Sequence, residues 1–232
     1  MEILKSNQIS PDQILIWEWW FIKLNATILY TWLIMAILVI SSWLVTRKIT
    51  SDIHTSRSQN FLESVVSTLR DQIREVSQDE PGQYLAFIGT LFLFICLSNL
   101  LTIVPGYIAP TASLTTTAAL AISVFFAVPL YGITKQGVWN YFKEYFQPTF
   151  IFFPFHVMGE ISRTLALAIR LFGNIMSHDK VIGILLAVTP LFFPIIMQAL
   201  GLLIGLVQAY IFAILAMVYI ASASQTHEKG HA

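Results

Sequence analysis

Cysteine occurs once, as Cys96 inside an apolar run, so no intramolecular disulfide can form and the thiol reads as a packing group. Charge is scarce. Only 11% of the 232 residues are Asp, Glu, Lys or Arg, against about a quarter in a soluble domain. The formal net charge is zero, which leaves no electrostatic footprint for nucleic acid. The sequence has no glycine-rich phosphate loop, no cluster of metal ligands and no nucleophile–base pair. This argues against a nucleotide, a bound metal or a cofactor held by this chain. Lys5 is not followed by a short apolar core and a small-residue cleavage site, so the first long apolar run reads as a retained helix, not a secretory signal.

What the chain has in abundance is apolar length: 56% of its residues are hydrophobic. A crossing helix needs about 20 mostly apolar residues. Five stretches qualify: Leu24 to Val45, Tyr84 to Ile108, Thr115 to Ile133, Phe150 to Met176 and Val181 to Ala223. The expected fold is an all-α integral membrane protein with about five membrane segments. As one membrane domain over 1–232, it divides into an outer interfacial segment (1–23), a first span (24–45), an inner amphipathic segment (46–83), second and third spans (84–134) and a hairpin (149–223). The last stretch would reach about 60 Å as one helix, twice the hydrocarbon thickness. The last two segments are therefore expected to form a long, strongly tilted helical hairpin, with Pro190 and Pro194 as kink points.

Two polar regions flank these runs. Trp17, Trp19 and Trp20 suit the headgroup layer, or else extend the first helix backwards. Between 46 and 83, Leu62, Val65, Val66, Leu69, Ile73 and Val76 recur at helical spacing, with Glu63, Arg70, Asp71, Arg74 and Glu75 on the other face. Such a helix lies on the membrane or against a partner, or links two spans through solvent. If the first segment is outside, the inner segments hold eight Lys and Arg and the outer ones three. The positive-inside rule selects that orientation.

Charges within an apolar span cost between roughly 2.5 and 17 kcal/mol. The fourth segment holds Glu160, Arg163 and Arg170, with Asn174 and His178 following at steps of four, so one helical face is polar. Arginine keeps its proton even when desolvated. Arg170 is thus a permanent cation able to attract and release an opposing carboxylate, or else a side chain that snorkels towards a polar turn at Ser177-His178-Asp179-Lys180. Glu160 and Arg163 form a structural ion pair or line a water path. Ser177, His178 and Asp179 form either an ion-accepting group or a simple turn. Gln208 borders a small-residue face made by Gly201, Gly205 and Ala209. From there it can reach Arg170 or Asn174, or make an ordinary interhelical bond.

Arg170-Leu171-Phe172-Gly173-Asn174 resembles the hallmark of subunit a, the ion-conducting stator subunit of rotary F-type ATP synthases. Phe87-Ile88-Gly89-Thr90-Leu91-Phe92-Leu93-Phe94 with Ser98-Asn99, Gln147-Pro148-Thr149, and Gln208-Ala209-Tyr210-Ile211-Phe212 with Tyr219-Ile220 agree with it. The stretch from Gly159 to Ala166 and the Met176-Ser177 ending look most like the alternative N-type branch. The resemblance implies that Arg170 faces a c-ring carboxylate. It assigns Asn174, Ser177, His178, Asp179 and Gln208 to an outer half-channel, and Glu160 and Arg163 to an inner one. The implied partners are the c-ring, the peripheral-stalk b subunits and the lipid bilayer. The cargo is H+ or Na+, with no cofactor, metal or nucleotide bound by this chain. The implied place is an energy-transducing membrane, the bacterial or archaeal plasma membrane or the thylakoid. This sequence departs from the family pattern in having Asp179 where many members carry Glu, and Gly201 where many carry His or Glu. His178 sits where others carry Gly or His, as if the imidazole had crossed the helix pair. A stand-alone secondary transporter would show an internal repeat with broken helices, and no second copy of the Arg170 stripe exists. A structural scaffold would not need a permanent cation at depth.

Overall fold

A computed structural model describes residues 15–19, 22–47, 57–77, 81–104, 106–139, 141, 153–189 and 192–225. The tryptophan at 20, the Gln147-Pro148-Thr149 motif and Pro190 lie outside them. The protein is nearly all helix, an all-α membrane protein with one small exception. Strands β1 (Leu15–Trp19) and β2 (Ile22–Asn25) pair antiparallel ahead of the first helix. The first helix therefore starts at Ala26 and does not run back through Trp17 and Trp19.

The helices are α1 (Ala26–Thr46), α2 (Arg57–Ser77), α3 (Gly82–Leu100), α4 (Leu114–Gln136), α5 (Phe153–Val188) and α6 (Phe193–Gln225). All but α2 are long and apolar enough to cross a bilayer. Their outward faces carry exposed Trp32, Val39, Phe126, Leu130, Ile161 and Leu203. So much exposed apolar surface is compatible with lipid as solvent and not with water. At the end of α1 the Arg47 guanidinium lies 5.0 Å from the Trp43 ring centre, a cation–π pair of the kind that anchors a helix end at the headgroups.

One expectation is corrected here. Ser177-His178-Asp179-Lys180 is not a turn between two helices. Helix α5 runs unbroken through it to Val188. None of these four residues removes a backbone donor, so nothing in them ends a helix. The reversal comes about three turns later, between Val188 and Phe193, where the chain contains Pro190. A helix normally stops before the residue that precedes a proline. Pro194 falls in the first turn of α6, where its missing N–H costs no intrahelical bond. At 36 and 33 residues, α5 and α6 are about 54 and 50 Å long, well beyond the 30 Å hydrocarbon layer.

The core is shared among all six helices. Ile34 of α1, Ile73 of α2, Ile88 and Ile95 of α3, Val124 of α4, Leu171 of α5 and Phe212 of α6 belong to one buried cluster. Helix α2 is amphipathic as expected, and its apolar stripe docks on its own chain. Leu69 and Ile73 are buried, while Glu63, Arg70, Asp71, Arg74 and Glu75 stay exposed. The Tyr210 hydroxyl of α6 also donates to Gln72 Oε1 at 2.7 Å.

Helix α3 meets α6 at Asn99 and Gly205. Asn99 Nδ2 donates to the Gly205 carbonyl at 2.8 Å, and Thr111 Oγ1 donates to Asn99 Oδ1 at 2.8 Å. A Cβ on Gly205 would stand 3.0 Å from Asn99 Cβ, so only glycine fits without displacement. Helix α4 ends at Gly137, whose φ of 83° favours glycine and whose N–H bonds the Ile133 carbonyl at 2.8 Å.

Candidate functional site: a polar seam along α5 and α6

Helices α5 and α6 are antiparallel neighbours, and their polar side chains meet in one seam. Arg170 lies at the midpoint of α5, with seventeen residues before it and eighteen after. Leu167, Ala168, Leu171 and Ile175 turn towards the core. Arg170 stands beside that buried face, exposed, and its guanidinium makes no hydrogen bond or ion pair among the described residues. Ser162, Ala166 and Gly173 on the same side are small.

Towards the α5–α6 bend, Asn174 Nδ2 donates to Gln208 Oε1 at 2.7 Å. Of the two partners open to Gln208 from its sequence position, the structure selects Asn174. Gln208 is 2% exposed, and its Nε2 has no partner among the described residues. One turn further, the His178 imidazole lies against Gly201. A Cβ there would overlap its Nε2 and Cε1. A glycine on one helix thus makes room for the imidazole on the other.

Asp179 and Ser177 are placed differently. Asp179 is about 180° round α5 from Arg170. It follows Ile175 by one turn, and Ile175 packs on Ala109 and Ala112 of the α3–α4 connection. Asp179 therefore belongs to a different wall from His178. Ser177 is exposed on the Arg170 side.

Towards the start of α5, Arg163 Nη1 donates to Glu160 Oε1 at 2.8 Å. The Arg163 guanidinium carbon also lies 5.5 Å from the Tyr219 ring centre on α6. Glu160 and Arg163 border a cavity of about 280 Å³ that is also lined by Phe155, His156 and Gly159. On its other side Glu160 reaches the rim of a second cavity of about 240 Å³, whose other lining residues include Phe125, Val128, Pro129, Ile133 and Val157. That space is walled mainly by apolar groups, with Tyr141 and Glu160 as its polar lining residues.

Two residues of the seam escape the sequence reading. Tyr219 is visible there only as part of a motif. His156 is not singled out, although it precedes Glu160 by four and Arg170 by fourteen, both steps that keep it on the polar stripe. Its periodicity was the available signal. No group of three or more His, Cys, Asp or Glu that could hold a metal occurs among the described residues.

Residues 28–221 match the family model described as ATP synthase A chain. The chain is 56% identical to the ATP synthase subunit a 2 of Acaryochloris marina, over 96% of this chain and 95% of that protein. It is likewise 56% identical to the ATP synthase subunit a of Albidiferax ferrireducens, over 94% of each. The ATP synthase subunit a 1 of Chlorobaculum parvum is 54% identical over 95% of this chain and 98% of its own length.

Proposed function

This chain belongs to the ATP synthase subunit a family and is a multi-pass stator subunit of the Fo membrane sector, and from that premise we propose that the α5–α6 seam is its ion path. Arg170 faces the carboxylates of the c-ring. Asn174, Ser177, His178 and Gln208 line the outer half-channel, with Asp179 at its entrance on the α3–α4 side. Glu160 and Arg163 border the inner half-channel. The b subunits of the peripheral stalk hold the chain against the turning ring. The host membrane is an energy-transducing one, the plasma membrane or the thylakoid.

One observation carries this reading. A permanent cation sits at the midpoint of a 36-residue apolar helix, without a partner among the described residues. Such a charge at depth is costly unless something opposes it. The small residues around it let another helix come close. An ion entering from the outer side neutralises a ring carboxylate, which then moves into lipid. When a carboxylate returns, its pairing with Arg170 drives the ion off to the inner side. The fixed guanidinium stands between the two half-channels and blocks a direct leak. Each charge moved is worth about 2.3 kcal/mol per 100 mV, so several must be coupled per ATP.

The test is ATP-driven uptake into inverted vesicles holding the whole complex, wild type beside Arg170→Ala, followed with a proton dye and labelled sodium. The variant is expected to stop pumping while its catalytic head still hydrolyses ATP. Pumping at the wild-type rate would reduce Arg170 to a structural side chain.

A further inference from the structure

Side-chain hydrogen bonds of different kinds tie α6 to neighbours other than α5. Tyr210, itself exposed, reaches Gln72 on α2 at 2.7 Å, and Gln198 reaches the Thr102 carbonyl at 2.9 Å. In both, a long side chain of α6 takes up slack between the helices. Near the other end of α6, Gln136 of α4 donates to the Ala223 carbonyl at 3.2 Å. The bond from Asn99 has no such slack. Asn99 is buried, and it donates at 2.8 Å to the carbonyl of Gly205, an atom of the α6 backbone itself. Gly205 presents an acceptor there, so the Asn99 amide must turn its NH2 towards α6 and its oxygen away. That oxygen is taken by the hydroxyl of Thr111, which donates at 2.8 Å from the short 3-10 turn Pro110–Ala112 and is itself fully buried. Both ends of one short side chain are thus fixed, one on α6 and one on the α3–α4 connection.

This clamp stands one turn from the polar seam. Gln208 follows Gly205 by three residues and Gly201 precedes it by four. At about 100° per residue, they lie about 60° and 40° round the helix from Gly205, both on the same flank. That flank is the one that meets α5. Gln208 accepts from Asn174 at 2.7 Å, and Gly201 makes room for the His178 imidazole. Side-chain atoms ride about 5–6 Å from a helix axis, so turning α6 by about 20° would carry the Gln208 amide about 2 Å sideways. A hydrogen bond of 2.7 Å does not survive that displacement.

We propose that Asn99, braced by Thr111, is a positioning residue that sets the rotation of α6 and so holds Gln208 on Asn174. It acts through Gln208 and takes no part in carrying the ion. The proposal rests on the ion-path reading above and adds what keeps the two walls of that path in register.

Thr111→Val keeps the shape of Thr111 and deletes its hydroxyl, whereas Thr111→Ser keeps the hydroxyl. Asn99→Leu keeps the size of Asn99 and deletes both ends of the clamp. Assembled complexes carrying each change, with Gln208 intact or as Gln208→Leu, are compared for ATP-driven uptake into inverted vesicles. Because a small displacement of a positioned group is costly, Thr111→Val and Asn99→Leu are expected to slow uptake roughly tenfold or more. Thr111→Ser should stay near wild type. In the Gln208→Leu background the two slowing changes are expected to cost nothing further, because the group they position is gone. An equal loss with and without Gln208 would make Asn99 an ordinary packing residue, and so would wild-type uptake in Thr111→Val. Position is read separately, without ion flow. With Cys96→Ser, the pair Asn174→Cys and Gln208→Cys is joined by a short bifunctional thiol reagent. Joining is expected to slow severalfold when Thr111→Val is added and to recover with Thr111→Ser instead. Unchanged joining would overturn the clamp. Normal uptake by Arg170→Ala would instead sink the ion-path reading and leave the joining rates to decide the clamp.

Discussion

Gly201 and His178 occupy one volume between them, so each limits what the other can be. A side chain at 201 must displace the imidazole, because even a Cβ would overlap its ring. Gly201→His is therefore expected to lower ATP-driven dye quenching at least tenfold in assembled complexes. Adding His178→Gly empties the opposite side and returns an imidazole to the same space, so the double variant should recover much of the rate. If the double variant is as poor as the single one, the two positions do not share a site. The neighbouring Asn174–Gln208 bond allows a finer measurement. Interhelical hydrogen bonds in membranes average about 0.6 kcal/mol, whereas stranding a buried amide costs about 1–3 kcal/mol. Asn174→Leu leaves Gln208, which is 2% exposed, with no partner for its carbonyl. That variant should lower the melting temperature of the complex more than Asn174→Leu with Gln208→Leu does. A thermal double-mutant cycle with purely additive effects would show that the bond contributes nothing.

Element by element, what the sequence discloses follows from what a bilayer demands. Each crossing needs about 20 apolar residues in a row, and these runs stand out against the polar connections. The amphipathic stripe of α2 is legible for the same reason, since its period alone selects Leu69 and Ile73. Its partner is not legible, because period fixes a face and not what covers it. The structure supplies the answer: Ile73 is buried within the chain's own core. Ile73→Asp would bury an unpaired carboxylate and is expected to release α2 from α3 and α6. Limited proteolysis of inverted vesicles should then cut within 57–77, where wild type resists; equal resistance would mean that α2 is held elsewhere. The hairpin bend is misplaced in the sequence reading because a polar cluster at Ser177-His178-Asp179-Lys180 looks like a loop in an apolar region. In a membrane helix the same residues are tolerated when they face protein or water. A proline is the better marker, as it removes a backbone donor wherever it stands. The polar stripe around Arg170 could be drawn in advance, but its contacts could not. Asn174 choosing Gln208, and His178 choosing Gly201, depend on the register between α5 and α6, which is set by packing along both helices.

At the scale of the whole molecule, charge asymmetry selects one orientation, and the two halves of the seam are assigned from it. The positive-inside count puts α2 and the α4–α5 connection on the inner side. Helix α5 then begins inside and reaches the outer side at the bend before α6. That places His156, Glu160 and Arg163 in the inner half of the seam and His178 in the outer half, with Arg170 between. The assignment of half-channels and the membrane topology therefore stand or fall together, and chemical labelling can separate them from every functional assay. With Cys96 replaced by Ser, single cysteines are introduced at Ser64 on the exposed face of α2, at Trp139 after α4, and at Phe192 in the bend; all three positions are exposed. A membrane-impermeant maleimide added to inverted vesicles should label the first two and spare the third. In right-side-out vesicles the pattern should reverse. Labelling of Phe192→Cys in inverted vesicles, with Ser64→Cys protected, would invert the chain. His178 would then lie on the inner side, and every direction assigned to the ion path would change with it.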